Sequence, residues 1–278
     1  MPTIVITGAS GFIGRHLYAH LIASGADVVA VSRKNHAGML HVEDYYDSPD
    51  GDVLIHLAEE PDRALVNGAG EDYLEASARL VTSLARRRYP RLIYISSGTV
   101  YGDKHQYPCK SNDSVIANDV YSCAKLINED IVLASGGAVA RLANVYGEGM
   151  ATSNVLSDII AQIPARDSLK VRDVTPIRDY LHVNDLVHAL EKCASSDHCG
   201  IINIATGVGT SVRRVAEIAL SAAGQAGRQI VSSGSMKHPF STNILDITET
   251  NLVLGWVPRI SLVDGVTELV HSKIGLKH

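Results

Sequence analysis

The segment Thr7-Gly8-Ala9-Ser10-Gly11-Phe12-Ile13-Gly14 constrains this chain more than any other. It follows a short β-branched run at 4–7 and opens an apolar pattern of helical period at 12–24. In such a place the three glycines have distinct tasks: a tight turn, close backbone approach to a pyrophosphate, and close packing of helix on strand. The helix behind them presents unpaired N–H groups and a positive dipole end to phosphates. A glycine triplet alone is a weak sign. With a strand before, a helix after and a second strand following, it reads as a dinucleotide site cradled by Gly8, Ser10, Gly11, Phe12, Ile13 and Gly14.

The first half alternates apolar runs with helical patterns. Residues 4–7, 27–31, 53–57, 92–96 and 139–142 read as buried parallel strands, and 12–24, 64–88 and 119–135 as helices. Gly25 and Gly136 fall where helix C-termini favour a residue tolerant of positive φ. The expected fold is α/β, a doubly wound parallel (Rossmann) sheet with a smaller substrate-binding lobe. Residues 1–146 form the dinucleotide-binding domain. Residues 147–278 build mainly the second lobe, with segments near 177–206 returning to the first. There, helices are expected at about 184–193, from about 211, and from Ser261, where Ser261 and Asp264 have capping-box spacing; a strand is expected at 201–204.

The net charge of −5 argues against general nucleic-acid binding, which favours a basic patch. No apolar run approaches the roughly 18 residues of a membrane span. No charged leader precedes the first strand, and the four cysteines form no C-x-x-C pair, so a cytoplasmic protein with reduced thiols is expected. No metal site is expected, since Cys193, His198 and Cys199 lack paired ligand spacing.

The second strand ends at Val31-Ser32-Arg33-Lys34. A free ribose 2′-hydroxyl usually meets an acidic residue about 20 residues beyond the glycines. Here a hydroxyl and two cations take that place, so Arg33, helped by Ser32 and Lys34, suits a 2′-phosphate. NADP(H) is favoured and NAD(H) stays open. Leu57 and Ala58, after His56, would wall the cofactor pocket, and His56 reads as structural.

Tyr121 and Lys125 stand at i and i+4 on one helix face. A phenol titrates near pH 10, and a nearby cation favours its ionised form, which suits acid–base work. Ser97 lies at the carboxyl end of the strand at 92–96, where a hydroxyl can bond a reacting oxygen.

The glycine loop with Tyr121/Lys125 resembles the extended short-chain dehydrogenase/reductase family, the NAD(P)-dependent epimerase/dehydratase group. The resemblance continues through Ser96-Ser97-Gly98-Thr99-Val100-Tyr101-Gly102, Arg141-Leu142-Ala143-Asn144-Val145-Tyr146-Gly147 and Ile177-Arg178-Asp179-Tyr180-Leu181-His182. Asn203-Ile204-Ala205-Thr206-Gly207 and Leu254-Gly255-Trp256-Val257-Pro258 extend it towards the nucleotide-sugar branch. It implies Tyr121 as general acid/base, Lys125 as its tuner and ribose holder, and Ser97 on the reacting oxygen. It also implies Ser97, Thr99, Asn144 and Arg178 as substrate-binding residues. A homodimer through the helices at about 64–88 and 119–135 follows from the same likeness.

Departures narrow the chemistry. The family's dehydratases carry Asp-Glu where this chain has Gly98-Thr99, so dehydration is not expected. The usual third strand and acidic adenine motif are hard to find, with 44–47 as a remnant or an exposed acidic loop. Lys237 and His238 are the nearest cations where relatives place a diphosphate-binding Arg. The chain then reads as an NADP(H)-dependent reductase of a nucleotide-activated 4-keto (deoxy)sugar. A nucleotide-sugar 4-epimerase is the alternative, and a non-catalytic NADP-binding regulator the distant one.

Overall fold

In the computed structural model, which describes residues 1–87, 89–234 and 241–275, the apolar runs are strands buried on both faces and the periodic stretches cover them. The first half runs β1 (Thr3–Thr7), α1 (Phe12–Ala23), β2 (Asp27–Ser32), β3 (Leu40–His41), β4 (Val53–His56), α2 (Arg63–Ala69) and α3 (Glu71–Arg86). It continues with β5 (Arg91–Ser97), α4 (Val120–Ala134), β6 (Ala138–Leu142) and β7 (Asn144–Tyr146). Then come α5 (Val155–Ala161), β8 (Leu169–Val171), β9 (Ile177–His182), α6 (Val183–Ala194), β10 (Gly200–Ile204) and β11 (Gly209–Ser211). The chain closes with α7 (Val212–Ala222), β12 (Ile230–Ser232), β13 (Thr242–Asn243), α8 (Thr248–Leu254) and α9 (Leu262–Ile274).

Among the described residues, seven strands form one parallel sheet in the order β3-β2-β1-β4-β5-β6-β10. This is the doubly wound sheet expected, and chain order reverses between β1 and β4, which sets the binding crevice at their carboxyl ends. Side chains alternate across it with the two-residue period of a strand. Ile4 and Ile6 join Leu17, Leu21, Leu186 and Leu190 on one face, while Val5 joins Leu54, Val81, Leu84 and Val132 on the other. A separate core around Leu156, Ile159, Val215, Val266 and Val270 gathers α5, α7 and α9. Between these cores β9 pairs with β7, β11 and β13.

Buried polar groups join the sequence landmarks. The Asp179 carboxylate accepts bonds from the Thr206 amide at 2.9 Å, its hydroxyl at 2.6 Å and the Gly207 amide at 2.8 Å. Asp185 likewise accepts from the amides of Arg259 and Ile260 at 3.0 and 2.8 Å. Between β6 and α4 Arg141 forms a buried ion pair with Glu129, 2.6 Å between Nη2 and Oε2. Each satisfies groups that would be costly to leave unpaired away from water.

Local differences from the sequence reading have physical causes. The helix expected at 64–88 is two, because Gly70 turns the chain with φ +61° between α2 and α3; Arg88 lies outside the described residues. The third strand exists as two residues, Leu40 and His41, paired with Val31 and Ser32. Residues 44–47 are no acidic strand end: Asp44 caps a one-turn helix at Tyr45–Asp47 by accepting from the Tyr46 amide, and Tyr45 is buried. Ser261 caps α9, but Asp264 returns its carboxylate to the Ser261 hydroxyl at 2.6 Å. No described helix is long and apolar enough to cross a membrane.

Candidate active site

The loop after β1 is shaped by what a side chain would meet. Gly8 has φ +72°, and a Cβ there would stand 2.8 Å from the Leu57 carbonyl carbon and 2.9 Å from the Ala58 Cα. A Cβ on Gly14 would lie 2.3 Å from the Gly8 oxygen. The loop therefore lies flat against the end of β4. Gly11 caps α1 without a side-chain bond, and no acidic residue occupies the first turn. The amides of that turn are left for an anion, so the residues fit the phosphates of a dinucleotide.

Four cavities adjoin in series past this loop, each sharing wall residues with the next. One of about 470 Å³ holds Arg33, Tyr45, Ala58 and Tyr73. Through Glu59 and Glu60 it adjoins one of about 280 Å³, lined by Gly8, Gly11, Phe12, Ile13, Gly14, Leu57, Ser97, Tyr121 and Lys125. Ser97 is shared with a third, of about 300 Å³, lined by Arg63, Thr99, Asp103, Asn118, Asn144 and Arg178. Asn144 and Arg178 open onto a fourth, of about 660 Å³, beside Tyr180 and Asp173.

The proton-transfer candidates thus share one cavity. Asp119 caps α4, with Ser122 completing a capping box, and this starts the helix one residue before Tyr121. The second Asp119 oxygen pairs with Arg63 and accepts from Asn67 at 2.9 Å, tying α2 to the same helix end. Lys125 Nζ lies 5.7 Å from the Tyr121 ring centroid and donates to the Ile95 carbonyl at 2.8 Å. Ser97, the last residue of β5, accepts from the Thr99 amide at 3.3 Å and hydroxyl at 3.0 Å. With its lone pairs so engaged, the Ser97 proton is left for an acceptor in the cavity.

Other expected residues are placed differently. Arg33 stacks over the Tyr45 ring, 5.3 Å to its centroid, and lines the first cavity. Ser32 is fully buried: its hydroxyl donates to Ser10 at 2.8 Å and accepts from the Lys34 amide. Ser10, Ser32 and Lys34 are not among the residues lining these cavities, and the Ser32 hydroxyl is already engaged at the strand end. Arg178 is braced by the Ile177 and Ser241 carbonyls at 2.8 and 2.9 Å and by the Ser241 hydroxyl at 2.6 Å. Lys237 and His238 lie outside the described residues. The one described group of side chains close enough to share a cation is His20, His188 and Glu191, apart from these cavities and from Cys193 and Cys199.

His56 is buried on β4. Its Nδ1 is 2.7 Å from the Thr7 hydroxyl, its Nε2 has no partner, and burial lowers its pKa to about 4, so it is neutral at pH 7. Sequence reasoning missed Glu59, Arg63, Asp103, Asn118 and Asn243 as wall residues. Only Glu59 carried a local signal, an acidic residue directly behind His56-Leu57-Ala58.

The chain is similar along most of its length to proteins of known function. The chain is 26% identical to dTDP-6-deoxy-L-talose 4-dehydrogenase (NAD(P)(+)) of Kitasatospora kifunensis, over 96% of this chain and 94% of that one. It is 26% identical to GDP-6-deoxy-D-mannose reductase of Pseudomonas aeruginosa, over 93% of each. The structure of UDP-glucose 4-epimerase from Thermotoga maritima, with UDP-glucose, superposes with a TM-score of 0.86 at 23% identity, covering 99% of this chain and 100% of that one. A profile described as the NAD dependent epimerase/dehydratase family matches residues 4–205, most of the chain and every landmark from the glycine loop to Ala205. The protein is a member of the NAD-dependent epimerase/dehydratase family, an enzyme of the extended short-chain dehydrogenase/reductase type built around a nicotinamide cofactor site.

Proposed function

We propose that this enzyme reduces the keto group of a nucleotide-activated 4-keto (deoxy)sugar with NADPH. The observation that carries the reading is the shared wall at Ser97. One side faces the cavity of Tyr121, Lys125 and the glycine loop, the other that of Asn144 and Arg178. A carbonyl beside Ser97 would meet a phenol and a free hydroxyl proton together. Residues 1–146 would serve mainly the cofactor and 147–278 mainly the sugar nucleotide.

When bound, the nicotinamide supplies the hydride that reduces the carbonyl carbon. Ser97 donates its proton as a hydrogen bond to the carbonyl oxygen and polarises it. Tyr121 gives its phenolic proton to the oxygen as negative charge develops there, leaving an alcohol. Lys125 holds the nicotinamide ribose with its remaining donor and favours the phenolate that results. Arg178, braced against Ser241, offers a guanidinium to the diphosphate, and Asn144 bonds the sugar nucleotide. Arg33 over Tyr45 would receive the 2′-phosphate. The relative named as a reductase supports this direction, and the one named as a 4-dehydrogenase supports the same hydride exchange read in reverse.

The likeness to a UDP-glucose 4-epimerase favours a second reading, in which the same residues oxidise and then re-reduce the sugar. A regulator without turnover is disfavoured because Tyr121 and Lys125 are both retained. Thermal-shift measurements with NADPH and NADH, followed by turnover of a panel of 4-keto and 4-hydroxy nucleotide sugars, test the choice. NADPH is expected to raise Tm more and to be consumed only with a 4-keto substrate. Equal or greater stabilisation by NADH, with interconversion of 4-hydroxy sugars, would establish the epimerase instead. A homodimer paired through α2, α3 and α4 belongs to the same proposal.

A further inference from the structure

Glu59 is a carboxylate withdrawn from water where two of the cavities meet. Its Oε2 forms an ion pair with Lys125 Nζ, and the two side chains are only 11% and 9% exposed. Its Oε1 accepts from the Tyr94 hydroxyl and from Asn128 Nδ2, both at 2.8 Å, and from the Ser77 hydroxyl at 3.3 Å. Lys125 spends a second proton on the Ile95 carbonyl, and its Nζ stands 5.1 Å from the Tyr94 ring centroid. Burial by itself would push the carboxyl up and the ammonium down. Their mutual attraction outweighs it, holding Glu59 below the usual carboxylate range and Lys125 above the usual amine range.

We infer that Glu59 is a positioning residue for the proton-transfer site: its carboxylate aims the Lys125 ammonium and supplies the counter-charge that keeps it a fixed cation beside Tyr121. The kinetic part of this inference rests on the proposed roles of Tyr121 and Lys125; the placement of Lys125 does not. Two of the three ammonium donors are used by Glu59 and Ile95, so one remains for a ligand, in a fixed direction.

The groups facing Lys125 come from every element packed around it. They are His56 from β4, Glu59 from the loop after it, Tyr73 and Ser77 from α3, Tyr94 from β5, and Tyr121 and Asn128 from α4. Of these only Glu59 is an anion at neutral pH. Its removal leaves the buried ammonium without a counter-ion, and such a group gives up its proton more easily. Reduction needs that cation beside Tyr121, so its alkaline limb must move to lower pH.

The test compares full-length Glu59→Gln, which removes the charge and keeps the shape, with Glu59→Asp, which keeps the charge. Cofactor-free protein is treated with acetic anhydride at mildly alkaline pH and acetylation of Lys125 is read by peptide mass spectrometry. The Gln variant is expected to acetylate Lys125 at least about fivefold more than wild type, and the Asp variant within about twofold, because the free amine rises only when the counter-charge is lost. In assays of the reduction, the alkaline limb of kcat/KM is expected to fall by roughly one pH unit in the Gln variant alone. Equal labelling of wild type and Gln, or equal changes in Gln and Asp, would overturn the inference. If the Gln variant does not fold, Glu59→Ala, which admits water beside Lys125, is read the same way with the same expectation. Should no sugar nucleotide turn over, the proposed function fails while the acetylation result still decides the role of Glu59.

Discussion

Between Gly8 and Lys125 the groove is walled by close-packed backbone and a buried ion pair. Between Asn118 and Asn243 it is walled by polar side chains drawn from separated segments. The cofactor side depends on Gly8 lying against Leu57 and Ala58, and on Lys125 locked to Glu59 and Ile95. The side proposed for the substrate is lined by Arg63 from α2, Asp103 after β5, Asn144 from β7, Arg178 from β9 and Asn243 from β13. Ser241 links two of these, donating to Asp103 at 2.9 Å while accepting from Arg178. A site fixed by backbone contact tolerates little change, whereas one assembled from side chains can alter its ligand without disturbing the sheet. On the proposed reading the first surface would hold the cofactor and the second the sugar nucleotide.

That contrast can be tested by uncoupling the sides, and the largest effect is expected at Tyr121. Tyr121→Phe should lower kcat by about 10²–10⁴-fold, the usual contribution of a positioned general acid. Affinity for the reduced cofactor, followed by nicotinamide fluorescence, should stay within a factor of about two if the phosphates are held by backbone, as proposed. Loss of cofactor binding in this variant would mean that the two sides are not separable.

Acid should weaken the cofactor side next. His56 has a folded pKa of about 4 against 6.5, with burial the main cause. Its contribution to stability is complete above about pH 6.5 and is lost as pH falls through 4, since the unfolded chain binds the proton first. The whole contribution is on the order of 3 kcal/mol from a shift of this size. Urea midpoints of wild type and His56→Leu, measured from pH 8 to pH 4, should differ in slope across that window. Parallel curves would show that His56 does not titrate with unfolding.

The smallest effect is expected on the substrate side. Arg178→Ala should raise the KM for the sugar nucleotide by about 10- to 100-fold, the value of a charged hydrogen bond worth about 1.5–3 kcal/mol. Cofactor affinity should not change. A variant with unaltered KM would move the diphosphate away from Arg178, and Arg63 would be the next residue to substitute.

How much of this could be read from the sequence follows the same division. The strands, the glycine loop and the Tyr121/Lys125 pair were legible because each is a short pattern whose spacing sets its own geometry. The join between α2 and α3 was not, since apolar periodicity continues through Gly70 and conceals the turn. The two-residue β3 was hidden by its brevity. Glu59 was visible as a residue, but its partners Lys125, Tyr94 and Asn128 lie far along the chain, and nothing local shows that they meet. Arg63 and Asn243 left no pattern because tertiary structure alone brings them to the cavity.

Gly98 carries a consequence for how this enzyme could change its reaction. A carboxylate at that position would need a Cβ only 2.8 Å from Leu245 Cδ1 and 3.2 Å from the Leu142 oxygen, and Leu245 is fully buried. Introducing Asp at 98 first would overpack the core, typically at about 1–3 kcal/mol. Shortening Leu245 beforehand removes the nearest obstacle. Shortening buried Leu245 alone would leave a cavity at a cost of the same order, so an acid at 98 and a smaller residue at 245 are expected to be tolerated together better than either alone.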